Sequence, residues 1–231
     1  MDNKNTHAAL KVSPTLGVKF MSFGGKFGSG KNYIAETLVV PRLRKMGYNV
    51  LVVSFADHLK VDAVTKKNVD FDKVFGDKRD EKTRILLQQM GTEQGRNVYG
   101  DDIWLKTLET WIKVHAARGI DYVVNCDGRF ANEGEWIQKH GGFFWRIEAP
   151  KRTWARAMKE ANGNEEKARN LMAHPSETSM DSRPDLYNVV IQNDIGQEEE
   201  SAKQVADVFD MLEPEGSDAS SSNKKRKLDD V

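Results

Sequence analysis

Residues 24–32 read GGKFGSGKN and stand between an apolar run at 18–23 and a helix-like run at 33–44. Within them Gly25, Gly30 and Lys31 satisfy the spacing G-x-x-x-x-G-K. A strand, such a loop and a helix in that order leave few options for the local fold. The glycines let the backbone curl so that successive N–H groups face inward, and the helix that follows turns its positive end toward the same point. What fits such a curl is a phosphate group. Lys31 then supplies a mobile cation for β- and γ-phosphates, and the next residue ordinarily offers a hydroxyl to Mg²⁺. Here that residue is Asn32, whose amide oxygen can hold a metal-bound water instead.

A chain of 231 residues, 39% of them hydrophobic, has room for one α/β domain with an insertion, or for two small domains. Cationic and anionic side chains balance at 35 each, so nucleic acid is not an expected partner and a small ligand is. The single cysteine, Cys126, rules out an internal disulfide and a cysteine-based zinc cluster. No hydrophobic stretch approaches membrane-spanning length, and residues 1–6 lack a signal-peptide core. The expectation is a soluble, intracellular protein with no membrane partner.

The apolar runs at 18–23, 49–55, 122–126, 143–147 and 188–192 alternate with helical patterns over 33–45, 103–117, 131–139 and 198–212. Short apolar strands alternating with helices predict a five-stranded, doubly wound parallel sheet, with the second strand buried on both faces. Pro41 inside the first helix implies a kink or a break. Residues 1–16 read as a flexible tail and 17–212 as the domain. Two segments exceed ordinary connections, 57–101 and 151–185; over the carboxyl edge of a sheet they are candidates for an acceptor-binding insertion and a lid. Residues 213–231 are acidic, then Ser-rich, then basic, and read as disordered. Their cluster Lys224, Lys225, Arg226 and Lys227 fits an importin groove and a nuclear address, or else a solvated tail on a cytoplasmic protein.

A phosphate loop alone serves many chemistries, so the discrimination falls to residues at strand ends facing it. Behind the loop come, in order, RILLQQMGTEQGR at 84–96, Trp104, NCDGRFANE at 125–133, HPSETS at 174–179 and IQND at 191–194. In these blocks the chain resembles the bacteriophage-type deoxynucleoside monophosphate kinases, over about residues 17–212. The resemblance implies an α/β P-loop kinase fold with an acceptor-binding insertion and lid. It also implies transfer of the γ-phosphate of ATP, with Mg²⁺, to a deoxynucleoside 5′-monophosphate. It places ATP on Gly25, Lys26, Phe27, Gly28, Ser29, Gly30, Lys31 and Asn32, and the acceptor on Lys60, Arg79, Gly91, Trp104, Asp127, Arg129 and Glu133. A layout similar to animal-type phosphomevalonate kinases is the alternative, and a nucleotide-binding protein without turnover is a third reading, prompted by Asn32 and the basic tail. A homodimer is left open.

Each of these residues also has a bland explanation. Arg129, just past a strand end, suits a fork onto phosphate oxygens or an ion pair with Asp127 or Glu133. Asp127 stands where a carboxylate could take the acceptor or hold Mg²⁺ through water. Lys31 and Arg129 are the candidate catalytic residues, and Asn32 and Asp127 the candidate metal contacts. Gly91 suits close approach to a base or a helix C-cap, and Trp104 a stacking face or ordinary packing alongside Trp111. Arg84, Gln88 and Arg96 lie near the acceptor block, and Arg152, Arg156 and Arg169 are lid cations. The five histidines make no triad with Cys126, so nucleophilic catalysis has no support; the HPSET block matches a block of the resembled family, and a helix N-cap around Ser176 is its plainer reading.

Overall fold

The computed structural model describes residues 10–76, 78 and 80–212; Arg79 and the 213–231 tail with its basic cluster lie outside the described residues. The five strands, β1 (Lys19–Gly24), β2 (Val50–Val53), β3 (Tyr122–Gly128), β4 (Phe143–Glu148) and β5 (Val189–Gln192), form one sheet in the order β2-β3-β1-β4-β5. All pairings are parallel. Every strand therefore ends on the same edge, with the phosphate loop leaving β1 at its centre.

Period-two alternation splits the strand side chains between two layers. Met21, Phe23, Tyr122, Val124, Phe143, Trp145 and Ile147 face one way. There they meet a helical run, Tyr33–Val39 continuing as α1 (Val40–Lys45), and the C-terminal α11 (Glu198–Leu212). Phe20, Val123 and Phe144 face the other way, onto α6 (Ile103–Ala116) and α7 (Ala131–Lys139). The sequence expectation of a second strand buried on both faces is corrected: β2 has one neighbour, β3, and is half-buried throughout, because an edge position leaves one side open.

At Pro41 the first helix changes its winding rather than stopping. Residues Tyr33–Val39 are wound as a π-helix, closed by Val40 N–H donating to Ala35 O, and Pro41 then falls in the first turn of α1. Pro41 has no N–H to donate to the preceding turn, and the π-winding there is where the helix accommodates that missing bond. The expected tail is also shorter than 1–16. Leu10 is buried in the cluster on the α1–α11 face and Leu16 in that on the α6–α7 face, while Thr15 Oγ1 lies 2.6 Å from His140 Nδ1 at the end of α7.

The remaining helices gather over the carboxyl edge. α2 (Asp57–Lys67), α3 (Phe71–Val74) and α4 (Glu81–Gly91) form a small unit with its own core of Leu59, Ala63, Val74 and Met90. A π-turn (Thr92–Arg96) and α5 (Asn97–Tyr99) return the chain to α6. On the far side α8 (Pro150–Glu160) and α9 (Glu165–Met172) make a hairpin around Ala157, Ala161 and Ala168, followed by the single turn α10 (Pro175–Thr178). Phe27, at the tip of the phosphate loop, packs into that hairpin core. The two long segments thus form separate helical units over the carboxyl edge of the sheet. Among the described residues no helix is long and apolar enough to cross a membrane.

Candidate functional site

The curl of residues 25–31 depends on two glycines. Gly25 has φ +140°, and a side-chain carbon there would run into Ile147 O and lie 3.1 Å from Ser29 Oγ. Gly30 has φ +86° and faces the Asn193 amide, which donates to Ser29 O at 2.8 Å. β4 and the end of β5 therefore shape the loop from outside, which only backbone without a Cβ permits. Inside, Lys31 folds back, its Nζ donating to Gly25 O at 2.7 Å and Lys26 O at 2.9 Å. Ser29 Oγ is buried with no hydrogen-bond partner. An orphaned hydroxyl beside a folded-back ammonium in a glycine-built curl is suited to an oxyanion.

Burial pushes the Lys31 ammonium down to about 7, helped by the Arg129 charge and opposed by Glu177 and Asp127. Between about 7 and the ordinary value of 10.5 the unfolded chain holds more protons at this position, so its share of stability improves as pH rises through that window. A bound triphosphate reverses the balance by stabilising the ammonium. At about pH 8, ATP binding is therefore expected to take up about one proton per site. Titration calorimetry in two buffers of different ionisation enthalpy reads this directly; heats independent of buffer would show that Lys31 is already charged.

Arg129 follows β3, and its surroundings are the most telling feature of the edge. Its guanidinium Nη1 donates to Glu177 Oε1, while Glu177 Oε2 accepts from the Phe27 N–H of the phosphate loop at 2.6 Å. The sequence offered Asp127 or Glu133 as the ion-pair partner; the structure supplies Glu177 instead, from α10. The two carboxylates nearer in sequence are engaged elsewhere. Asp127 Oδ1 accepts from Phe55 N–H at 2.8 Å and from the Asn125 amide at 3.0 Å, and its Oδ2 from Ala56 N–H at 3.4 Å. Asn125 in turn accepts from Ser22 Oγ at 2.9 Å, so a buried polar chain across β1 and β3 aims Asp127 at the start of α2.

Glu133 is buried and caps α7. Its Oε2 accepts from the N–H groups of Arg129 at 2.7 Å and Phe130 at 3.0 Å, and its Oε1 from Arg96 at 3.2 Å. Burial, and next the Asp127 charge, push its carboxyl up to about 7 against the pull of those donors. Through these bonds it fixes the backbone beneath Arg129. Glu133→Gln turns one acceptor into a donor facing donors, and is expected to lower stability by about 1–3 kcal/mol; the urea midpoint is the readout.

Between residues 25–31, the α2–α4 unit and the α8–α9 hairpin lies a cleft of about 710 Å³. Lys60, Gly91, Trp104, Asp127, Arg129 and Glu133 all line it, as do Arg84, Gln88 and Arg96. Trp104 is set by its indole N–H, which donates to Gly91 O at 3.0 Å, and its ring closes on Gly95 so tightly that a Cβ there has no room. Gly91 is not a left-handed cap: its φ is −71° and the chain runs on into the π-turn, with Leu59 nearby. Trp111 does not share a core with Trp104; it is 42% exposed and stacks between His58 and His115. Lys60 pairs with Asp57 at 3.2 Å.

Of the three lid arginines, Arg156 alone lines the cleft, against Gly28. Arg152 is committed to Asn193 O, Asp194 O and Glu198, and Arg169 pairs with Glu165 on the surface. Arg84 reaches across to Glu160 at 3.1 Å, joining α4 to α8. The cap of α10 is His174, whose Nδ1 accepts from Ser176 N–H at 3.2 Å. Sequence reasoning missed Glu177, Phe55 and Phe130; a carboxylate inside HPSET was visible, but nothing local tied it to Phe27 or Arg129. Cys126 is buried and its thiol pushed up to about 12 by burial, which removes it as a nucleophile. Among the described residues no three His, Cys, Asp or Glu side chains cluster to hold a metal ion.

No family model matches the chain, and no curated protein matches it. Solved structures similar to it include TT1252 from Thermus thermophilus, at 20% identity and TM-score 0.41, over 82% of this chain and 95% of that one. Shikimate kinase from Acinetobacter baumannii in complex with shikimate is similar at 13% identity and TM-score 0.44, over 91% and 97%. Dephospho-CoA kinase from Campylobacter jejuni is similar at 14% identity and TM-score 0.43, over 84% and 95%. Such similarities carry no chemistry across, and what the site can do is read from its own residues.

Proposed function

We propose that this protein is an ATP-dependent kinase that phosphorylates a deoxynucleoside 5′-monophosphate to the diphosphate. One observation carries the reading. Arg129 lines the 710 Å³ cleft and, through Glu177, meets the phosphate loop, so a donor site and an acceptor site share one guanidinium. The cleft's chemistry favours a nucleotide as acceptor. It joins the rings of Phe55, Phe130 and Trp104, suited to a base, to the cations Lys60, Arg84, Arg96 and Arg129, suited to a phosphate. Its volume lies within the range of small-ligand sites, roughly 300–1,000 Å³.

Phosphoryl transfer asks little covalent chemistry of a protein; it needs the two substrates in line, their charge met, and water kept out. The glycine cradle holds the triphosphate, Lys31 meets its terminal oxygens, and Arg129 bridges donor and acceptor phosphates as charge moves between them. The lid, seated on the loop through Phe27, excludes water. Mg²⁺ bound with the nucleotide would supply charge neutralisation for the phosphates. Asn32, whose Nδ2 donates to Glu36, and Asp127, whose Oδ2 has a long bond from Ala56 at 3.4 Å, would hold it through water.

The deciding experiment is a coupled ADP-release assay with dGMP, dTMP, dCMP and dAMP as acceptors. Turnover on at least one of them is expected. Activity with phosphomevalonate alone would move the protein to the other reading, and ATP binding with no turnover on any acceptor would leave a nucleotide-binding protein.

A further inference from the structure

The residues that line both the 710 Å³ cleft and a neighbouring cavity of about 430 Å³ are Arg129, Ser176 and Glu177. They form the partition between the two spaces. Glu177, 7% exposed, is the anion in that partition, and its partners are of one kind. It accepts from a phosphate-loop N–H (Phe27, 2.6 Å), from the Arg129 guanidinium and from the Ser176 hydroxyl at 3.2 Å. Loop N–H, arginine fork and hydroxyl are the donors that phosphate oxygens take. A phosphoryl group seated on the same donors beside an ionised Glu177 would put two anions in one buried site, and the donors cannot serve both.

We infer that the Glu177 carboxylate is an internal stand-in for the transferred phosphoryl group, holding its seat between Phe27 and Arg129 until the triphosphate displaces it. The inference rests on the reading of residues 25–31 as the ATP site, not on the identity of the acceptor. Displacement is structurally cheap: Glu177 sits on a helix of one turn, and the 430 Å³ cavity, lined beyond the partition by the cations Lys26 and Arg146 and the anions Glu148 and Asp181, offers room to withdraw into. Until then the carboxylate keeps Arg129 and the loop charge-paired, so the site does not collapse onto unpaired cations.

The test is binding of inorganic tripolyphosphate, followed by calorimetry, to the full chain and to Glu177→Gln. Glutamine keeps an acceptor for Phe27 N–H but removes the competing charge, so the variant is expected to bind about tenfold more tightly or better. A second measurement uses the unaltered protein and does not depend on the variant folding: hydrogen exchange of the α10 amides. Glu177 N–H donates to His174 O at 2.8 Å and Ser179 N–H to Pro175 O at 2.9 Å, and both are expected to exchange faster once tripolyphosphate is bound. Equal or weaker binding by a folded Glu177→Gln, or α10 protection retained on binding, overturns the inference while leaving the ATP site intact. No tripolyphosphate or ATP bound by either form removes the ATP site and the inference with it.

Discussion

Lys31→Ala is expected to lower kcat by about three orders of magnitude with little change in folding stability. The two halves of that expectation have different causes. The ammonium is held inside the loop by Gly25 O and Lys26 O, 2.7 and 2.9 Å away. Its loss leaves charge developing on the transferred group without its nearest point cation. Stability responds little because the buried ammonium is already disfavoured, as its lowered proton affinity shows. Losing two hydrogen bonds, each worth about 1–2 kcal/mol, is offset by relief of that burial. Single-turnover kinetics at saturating ATP, set beside a thermal melt, separate the effects. Lys31→Arg should not rescue the rate, because a planar fork does not fit a curl already closed around a point charge. A variant that turned over normally would show that the loop binds its phosphate without using Lys31 in the chemical step.

Arg129→Ala is expected to reduce kcat/KM for the monophosphate by about two to three orders of magnitude, while ATP binding changes by only a few-fold. The guanidinium faces the acceptor cleft, whereas ATP retains the glycine cradle, Lys31 and the backbone of the loop. The loss also leaves Glu177 with a backbone N–H and a hydroxyl as its remaining partners. A modest fall in thermal stability should follow, smaller than for a fully buried pair because Arg129 is 31% exposed. Combining Arg129→Ala with Glu177→Gln should restore the stability and not the turnover, which distinguishes lost packing of charges from lost chemistry. Near-normal turnover by Arg129→Ala at low monophosphate concentration would move the acceptor away from the end of β3.

Much of the scaffold was legible from local pattern. α7 and α11 begin and end where the 3.6-residue periodicity placed them, at Ala131–Lys139 and Glu198–Leu212. Apolar runs marked all five strands to within a few residues, since a strand packed between helices has to be apolar along its length. Where pattern misled, a neighbour was the reason. β2 is as apolar as an inner strand yet lies at the edge, because strand order is set by how the crossovers pack. Pro41 was read as a fault in a helix, and a π-turn upstream absorbs it. Residues 10–16 looked like tail and are held by burial of Leu10 and Leu16.

The sequence by itself determined the parts with a short-range signature: the glycine spacing that makes a phosphate cradle, the alternation that makes a sandwich of helices and parallel sheet, and the strand ends where ligands collect. The tertiary structure decided which charges meet. Glu177 lies 150 residues from Phe27 and 48 from Arg129, yet binds both. Arg96 reaches Glu133 across 37 residues, and Arg84 reaches Glu160 across 76. Side-chain pairing at such separations has no period and no spacing. It depends on where the chain returns after each crossover, and for carboxylates as buried as Glu133 and Glu177 a partner matters because an unmatched charge inside the fold is costly.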